Sequence, residues 1–365
     1  MKKFKLLLAG LAISVFFIAC KKDDHSSKAA GFVYTLSNKP DGNSVLTFTR
    51  NARGSLLPSH AFSTGGKGTG SALGSQGALM LSADHHWLLA VNAGSDDISA
   101  FKITENALIL TSTISSGGAT PISITNYKNL VYVLNAGGNG SIAGFYLLPD
   151  GSLTAIPNST RQLAGEVTGP AQVAFTDNGA ALVITEKAAN KIITYNMNSM
   201  GLPGTVHQIN SASPTPFGFA VGKQGTIFVS EATQGALSVY HINNNAVASL
   251  VDGPIFTHQN AACWVVLTDN NKYAYVANAA SNSISGYRVD VSGHVTLLNA
   301  DGITGQTGNG SKPIEEALSN NSKFLYVLNS GNQTIRAFAV NSDGSLQLIG
   351  DTGGLPTGAA GLAAE

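Results

Sequence analysis

Glu186 and Glu231 are the two side chains in this sequence whose type and placement most invite chemistry. Each closes a short apolar run, LVITE from Leu182 and IFVSE from Ile227, at the point where four related runs carry Asn92, Asn135, Asn278 and Asn329. Carboxylates on neighbouring units of a repeat can form an acid/base couple or hold a cation, because like charges held close push at least one pKa upward. Capping of the turns that follow is the alternative role for both. His258, in the run THQNAACW, is the best placed of the eight histidines to act as a base, which makes Glu186, Glu231 and His258 the catalytic candidates.

A second set follows from another family of runs: GALMLS, PISITN, PAQVAFT, PFGFAV, ACWVVLT and PIEEALS. One position is shared by Ala78, Ser123, Gln172, Gly218, Trp264, Glu315 and, near the C-terminus, Gly361. Small residues dominate it, so Gln172, Trp264 and Glu315 stand out as candidates for ligand binding. Glu315 and Glu316 adjoin, and in a strand they face opposite ways. A carboxylate in such an apolar run needs a partner or a raised pKa. His, Cys and Asp do not recur in pairs at ligand spacing, so neither a metal site nor a cofactor is expected. The Gly-rich stretches Gly65–Gly68 and Gly308–Lys312 lack the following helix of a phosphate loop.

These residues must be positioned by the repeat that carries them. A hydrophobic pair, a turn rich in Gly, Asn or Asp, then a second apolar segment ending in an aromatic recurs roughly every 48 residues, in seven copies starting at Val33, Leu88, Val131, Leu182, Ile227, Ala274 and Leu325. Each copy reads as a β-hairpin. The six runs quoted above each precede a hairpin and supply an innermost strand. One four-stranded unit cannot bury both faces alone, so the units must pack on one another. The prediction is an all-β, seven-bladed β-propeller of four-stranded blades. The first hairpin has no strand before it, whereas Ala360–Ala364 follows the last; this C-terminal strand is expected to pair with the N-terminal blade and close the ring.

With 41 Gly, 12% charged residues and zero formal net charge, the chain has no basic stripe, and nucleic acid is excluded as a partner. Residues 1–19 have a basic start, an apolar core and small Ala19 before Cys20, the layout of a secretory signal too short to favour a spanning helix. Phe17-Ile18-Ala19-Cys20 resembles the lipobox of bacterial lipoproteins, which implies lipidation of Cys20. Residues 20–31, with Lys21-Lys22-Asp23-Asp24, read as a flexible tether, and 32–365 as a single propeller domain. Cys263 is then the one free thiol. The expected location is the cell envelope, as an outer-membrane lipoprotein facing the periplasm or the surface, with the membrane contacted through the anchor only.

With the inner strands aligned, residues 32–365 resemble the seven-bladed lactonase-like propellers, the family of 6-phosphogluconolactonase and the muconate-lactonizing enzymes. The resemblance is most specific in PTPFGFAV, AACWVV, YAYVANAASNSISGYRV, PIEEALSNNSKFLYVLNSGNQTIRAFAVNSDGSL and LPTGAAGLAA. Family members regarded as active carry Pro-Arg-His in an inner strand and Asn-Glu at the end of the next. Here those places read Pro170-Ala171-Gln172 and Thr185-Glu186, so Glu186 is retained while Arg and His are replaced. The resemblance implies a hydrolase acting on the ring ester of a sugar-acid or related lactone, with a hydroxyl-rich ligand favoured over a phosphorylated one beside Gln172. The alternative is a non-catalytic propeller that binds a glycan or protein partner. A monomer is expected in either case.

Overall fold

The computed structural model describes residues 1, 29–105, 107–163 and 169–365; the signal-like segment, Cys20 and most of the tether lie outside them. Every regular element among the described residues is a strand, gathered into seven antiparallel sheets. Within each sheet the innermost strand is followed outward by the two strands of the repeated hairpin and then by a fourth, solvent-facing strand. The fourth blade is representative: Pro170–Phe175, Ala181–Glu186, Lys191–Met197 and Pro203–Asn210. In the third and sixth blades the outer strand is split in two, Leu153–Ala155 with Arg161–Gln162 and Val295–Leu297 with Gly305–Gln306. The inner strands touch in sequence around one axis, giving the seven-bladed propeller expected.

The first blade is completed from the far end of the chain. Ala360–Ala364 pairs with Gly31–Leu36, with Val33 opposite Ala364, Tyr34 opposite Ala363 and Thr35 opposite Leu362. Thr35 Oγ1 donates to the Gly361 carbonyl at 2.6 Å, and the Glu365 N–H to the Phe32 carbonyl at 3.0 Å. Leu362, Ala359 and Ala364 are buried in the cluster around Val33, Tyr326 and Leu328.

Burial is greatest in the second strands, whose apolar runs face neighbouring blades on both sides, so they read as continuous rather than alternating. Outer strands alternate or are mostly exposed, as in Pro203–Asn210. Three joints between blades share one device. Tyr132, Tyr275 and Tyr326 donate to the carbonyls of Gly201, Gly344 and Gly54 in the outer turn of the next blade, at 2.7, 2.8 and 3.0 Å. These glycines have φ of +72°, +88° and +87°, and a Cβ at any of them would run into Leu130, Tyr273 or Phe324. The backbone conformation and the close approach both require glycine.

Candidate functional site

The inner strands carry a β-bulge near their start. In four blades the register slips between Pro121 and Ser123, Pro170 and Gln172, Ala262 and Trp264, and Pro313 and Glu315. A bulge re-aims the side chain that follows, and here that is the shared position read from the sequence. Gln172, Trp264 and Glu315 lie opposite Thr185, Ala277 and Leu328, one residue before Glu186, Asn278 and Asn329. Both candidate sets therefore cluster at the end of the channel where inner strands begin and second strands finish.

That mouth is occupied by the chain itself. Residues 73–77, the connection into the second blade, form a strap across it. Gln76 Nε2 donates to the Val265 carbonyl at 2.8 Å while Oε1 accepts from the Val265 N–H at 3.0 Å. The Gln76 N–H reaches the Ala171 carbonyl at 3.0 Å, and the Gly77 carbonyl accepts from Ile124 at 2.8 Å. Ser75 Oγ donates to the Ile122 carbonyl at 2.8 Å, Trp264 Nε1 donates to the Ser75 carbonyl at 2.8 Å, and the Gly77 N–H donates to Glu315 Oε2 at 3.3 Å. Lys187 Nζ donates to the Gly74 carbonyl. Four blades are thus tied to one short segment, which satisfies inner-strand edges that otherwise have no partner. A cavity of about 40 Å3 remains beside Trp264, Ile314 and Gly361. It has room for a water but not for a sugar lactone.

Gln172 caps an edge in the same way. Its amide donates to the Phe219 carbonyl at 2.9 Å and accepts from the Phe219 N–H at 2.6 Å, joining the fourth and fifth blades.

Glu186 and Glu231, equivalent in the repeat, have different surroundings. Both are fully buried. Glu231 Oε1 accepts from Ser211 Oγ at 2.6 Å, the Ser213 N–H at 2.9 Å and the Tyr240 hydroxyl at 3.3 Å, and Oε2 accepts from Ser238 Oγ at 2.7 Å. These bonds hold the loop 211–213 against the blade, and although they favour the anion, burial outweighs them and raises the pKa. Glu186 receives one bond, from the Gly169 N–H to Oε2 at 2.9 Å, and its Oε1 has no partner. Burial raises its pKa too, opposed by the Gly169 N–H and the Lys187 charge. No hydrogen bond joins the two carboxylates.

Lys187 is the residue sequence reasoning missed. Burial lowers its pKa, against the opposing influence of Cys263 and Glu186. Its Nζ lies 4.7 Å from the centre of the Phe217 ring, which in turn packs 4.9 Å from Trp264. Burial pushes the Cys263 thiol up to about 12, so it stays protonated and unreactive at neutral pH. Adjacency to Glu186 in the turn after a repeat strand was the available signal. His258 sits exposed on the loop before Ala262–Leu267, with φ of +58°. Glu315 and Glu316 are both buried, with Glu315 toward the strap and Glu316 finding a partner for neither oxygen. Burial raises both pKa values well above the usual range, and Glu315 adds to the rise at Glu316. Among the described residues no three His, Cys, Asp or Glu side chains group as a metal site.

Residues 245–356 match the family model described as "Lactonase, 7-bladed beta-propeller". A comparison with curated proteins finds no match. Among solved structures, a candidate 6-phosphogluconolactonase from Bacteroides fragilis superposes with a TM-score of 0.73 at 19% identity, covering 94% of this chain and 100% of that one. A candidate 6-phosphogluconolactonase from Bacteroides uniformis gives 0.72 at 18% identity over 90% and 99%. The periplasmic gluconolactonase of Pseudomonas aeruginosa gives 0.69 at 17% identity over 90% and 98%. At these identities the structural likeness establishes the fold, and the family match supplies the sequence pattern in the C-terminal part. The chain is a seven-bladed β-propeller, whose residues 245–356 are similar to the lactonase propellers.

Proposed function

We propose that this propeller hydrolyses the ring ester of a sugar-acid or related lactone at the channel mouth, with Glu186 as base and Lys187 as the cation that stabilises the oxyanion. The observation that carries this reading is a buried carboxyl with one free oxygen and a raised pKa, beside a half-buried ammonium whose pKa is lowered. Lactone hydrolysis needs a base tuned toward neutrality and a positive charge where the carbonyl oxygen becomes anionic. Glu186 Oε1 takes a proton from water as its oxygen bonds to the lactone carbonyl carbon. The Lys187 ammonium faces the developing oxyanion. Collapse breaks the ring C–O bond, and the proton held by Glu186 passes to the departing ring oxygen, leaving a hydroxy acid. Phe217 and Trp264 supply an apolar wall. Glu231 keeps the neighbouring loop in place, and the strap must swing aside for substrate to enter.

The sealed mouth favours a second reading, a non-catalytic propeller that presents an outer surface to a glycan or protein. Assay of the described domain against glucono-1,5-lactone, galactono-1,4-lactone and 6-phosphogluconolactone separates the two. Hydrolysis should fall by about 100-fold or more in Glu186→Gln and in Lys187→Met. Turnover unaffected by either substitution refutes the assignment, and absence of turnover with all three supports the binding reading. An envelope location with a lipid on Cys20 accords with the N-terminal sequence and with a periplasmic relative.

A further inference from the structure

We propose that the joint between the fifth and sixth blades, at the end of the channel opposite the mouth, binds a phosphate group, free or esterified to a sugar. A groove of about 1000 Å3 opens there, large enough for a sugar phosphate.

The repeat explains both the opening and its charge. The turns that join inner to second strands meet around this end of the channel. At the joint of the fourth and fifth blades Asp177, two residues past the inner strand Pro170–Phe175, accepts from the Gln224 N–H at 2.7 Å and the Gly225 N–H at 2.9 Å. At the joint of the sixth and seventh the Asp269 N–H donates to Ser322 Oγ at 2.9 Å. The fifth blade carries Lys223 where the fourth and sixth have Asp177 and Asp269, two residues past its own inner strand Pro216–Val221. An ammonium has no lone pair to accept an N–H, so Lys223 cannot bridge to the next turn as Asp177 does. No hydrogen bond joins residues 222–225 to residues 268–272.

Three cations face this space. Lys223 and Lys272 come from the two turns and Arg288 from the end of Ser283–Val289, and all three are exposed. Among the described residues none of them is in an ion pair. The Arg288 guanidinium lies 5.6 Å from the centre of the Tyr273 ring, a contact that orients it. Its side-chain N–H groups donate no hydrogen bond, whereas Arg50, Arg161 and Arg336 commit theirs to carbonyls or to Asp351. Asp290 is the acidic residue lining the groove, and its Oδ1 is held by the N–H groups of Ser292 and His294 at 2.8 and 3.0 Å. Asp343, exposed on the seventh blade, is lowered in pKa most by its bonds from Ser345 and least by the Arg288 charge. A guanidinium fork matches two oxygens of a phosphate, and the two ammonium groups add point charges. The excess of positive charge selects an anion over a neutral sugar.

Calorimetric titration of the full chain in detergent with glucose 6-phosphate and inorganic phosphate tests this, with glucose as the neutral control. Both phosphate probes should bind and glucose should not. The Kd should rise about tenfold or more in Arg288→Gln and in the paired Lys223→Gln, Lys272→Gln variant. These side chains are exposed, so the variants should melt with the parent, and lactone turnover at the mouth should be unchanged in both, which separates this site from that one. Tighter binding of glucose 6-phosphate assigns the groove to sugar esters, and equal binding assigns it to the free ion. The proposal is overturned if neither phosphate probe binds, if glucose binds as tightly as glucose 6-phosphate, or if the folded variants bind as the parent does.

Discussion

Replacing Glu316 by Gln should make the protein less sensitive to alkali. Glu316 is 3% exposed, and neither carboxyl oxygen has a hydrogen-bond partner. Burial, with the neighbouring Glu315, holds its folded pKa well above the ordinary carboxylate value of 4.5. The sign follows from linkage: above pH 4.5 the unfolded chain releases the proton while the folded chain keeps it, so the unfolded state binds fewer protons and stability falls as pH rises. The fall continues until the pH passes the folded value. One proton corresponds to about 1.4 kcal/mol per pH unit, so each pH unit over which only the folded chain keeps the proton removes about that much stability. Glu315 titrates with it, so the two steps belong to the pair. The Gln variant keeps the shape, removes the ionisation and should lose up to one proton's worth of slope. Urea unfolding at four pH values above 4.5 measures this directly. Parallel pH slopes for parent and variant would refute the argument, since the carboxyl would then already be ionised, or equally protonated in both states.

Three further outcomes are expected. Deleting residues 356–365 removes the closing strand and should cost about 5 kcal/mol or more from lost ladder bonds and Leu362 burial, with aggregation through the opened edge; melting within a degree or two of the parent would contradict it. Gln76→Ala strips both partners from the Val265 backbone inside the channel and should lower stability by about 2–4 kcal/mol in urea titrations; an unchanged midpoint would mean that water replaces the side chain at no cost. Cys20→Ser should release soluble protein or leave an uncleaved precursor, and unchanged membrane extraction counts against acylation.

The hairpins, the six inner strands and the closing role of Ala360–Ala364 were legible because turn chemistry and apolar runs report locally on strands, and a repeat multiplies the signal. The position shared by Gln172, Trp264 and Glu315 was legible for the same reason. The strap was not. Gly74-Ser75-Gln76-Gly77 has the composition of an ordinary loop, and its role depends on partners nearly 190 residues away, Gln76 with Val265 and Ser75 with Trp264. The contrast between Glu186 and Glu231 was hidden likewise, because it rests on serines at 211 and 238 and the N–H of Ser213, supplied to one and not the other. Pattern reveals which positions are equivalent; surroundings decide what each equivalent residue does.

The pairing of Thr35 with Leu362 also imposes an order in time. Strands two to four of the first blade leave the ribosome before any other blade, yet their inner partner is made only after all six of the others. Until then the edge of Gly31–Leu36 stays open to other chains, and the ring cannot lock while synthesis is under way. Such a chain stays threadable until its last strand arrives, and its quality control reduces to one late event: whether that strand docks.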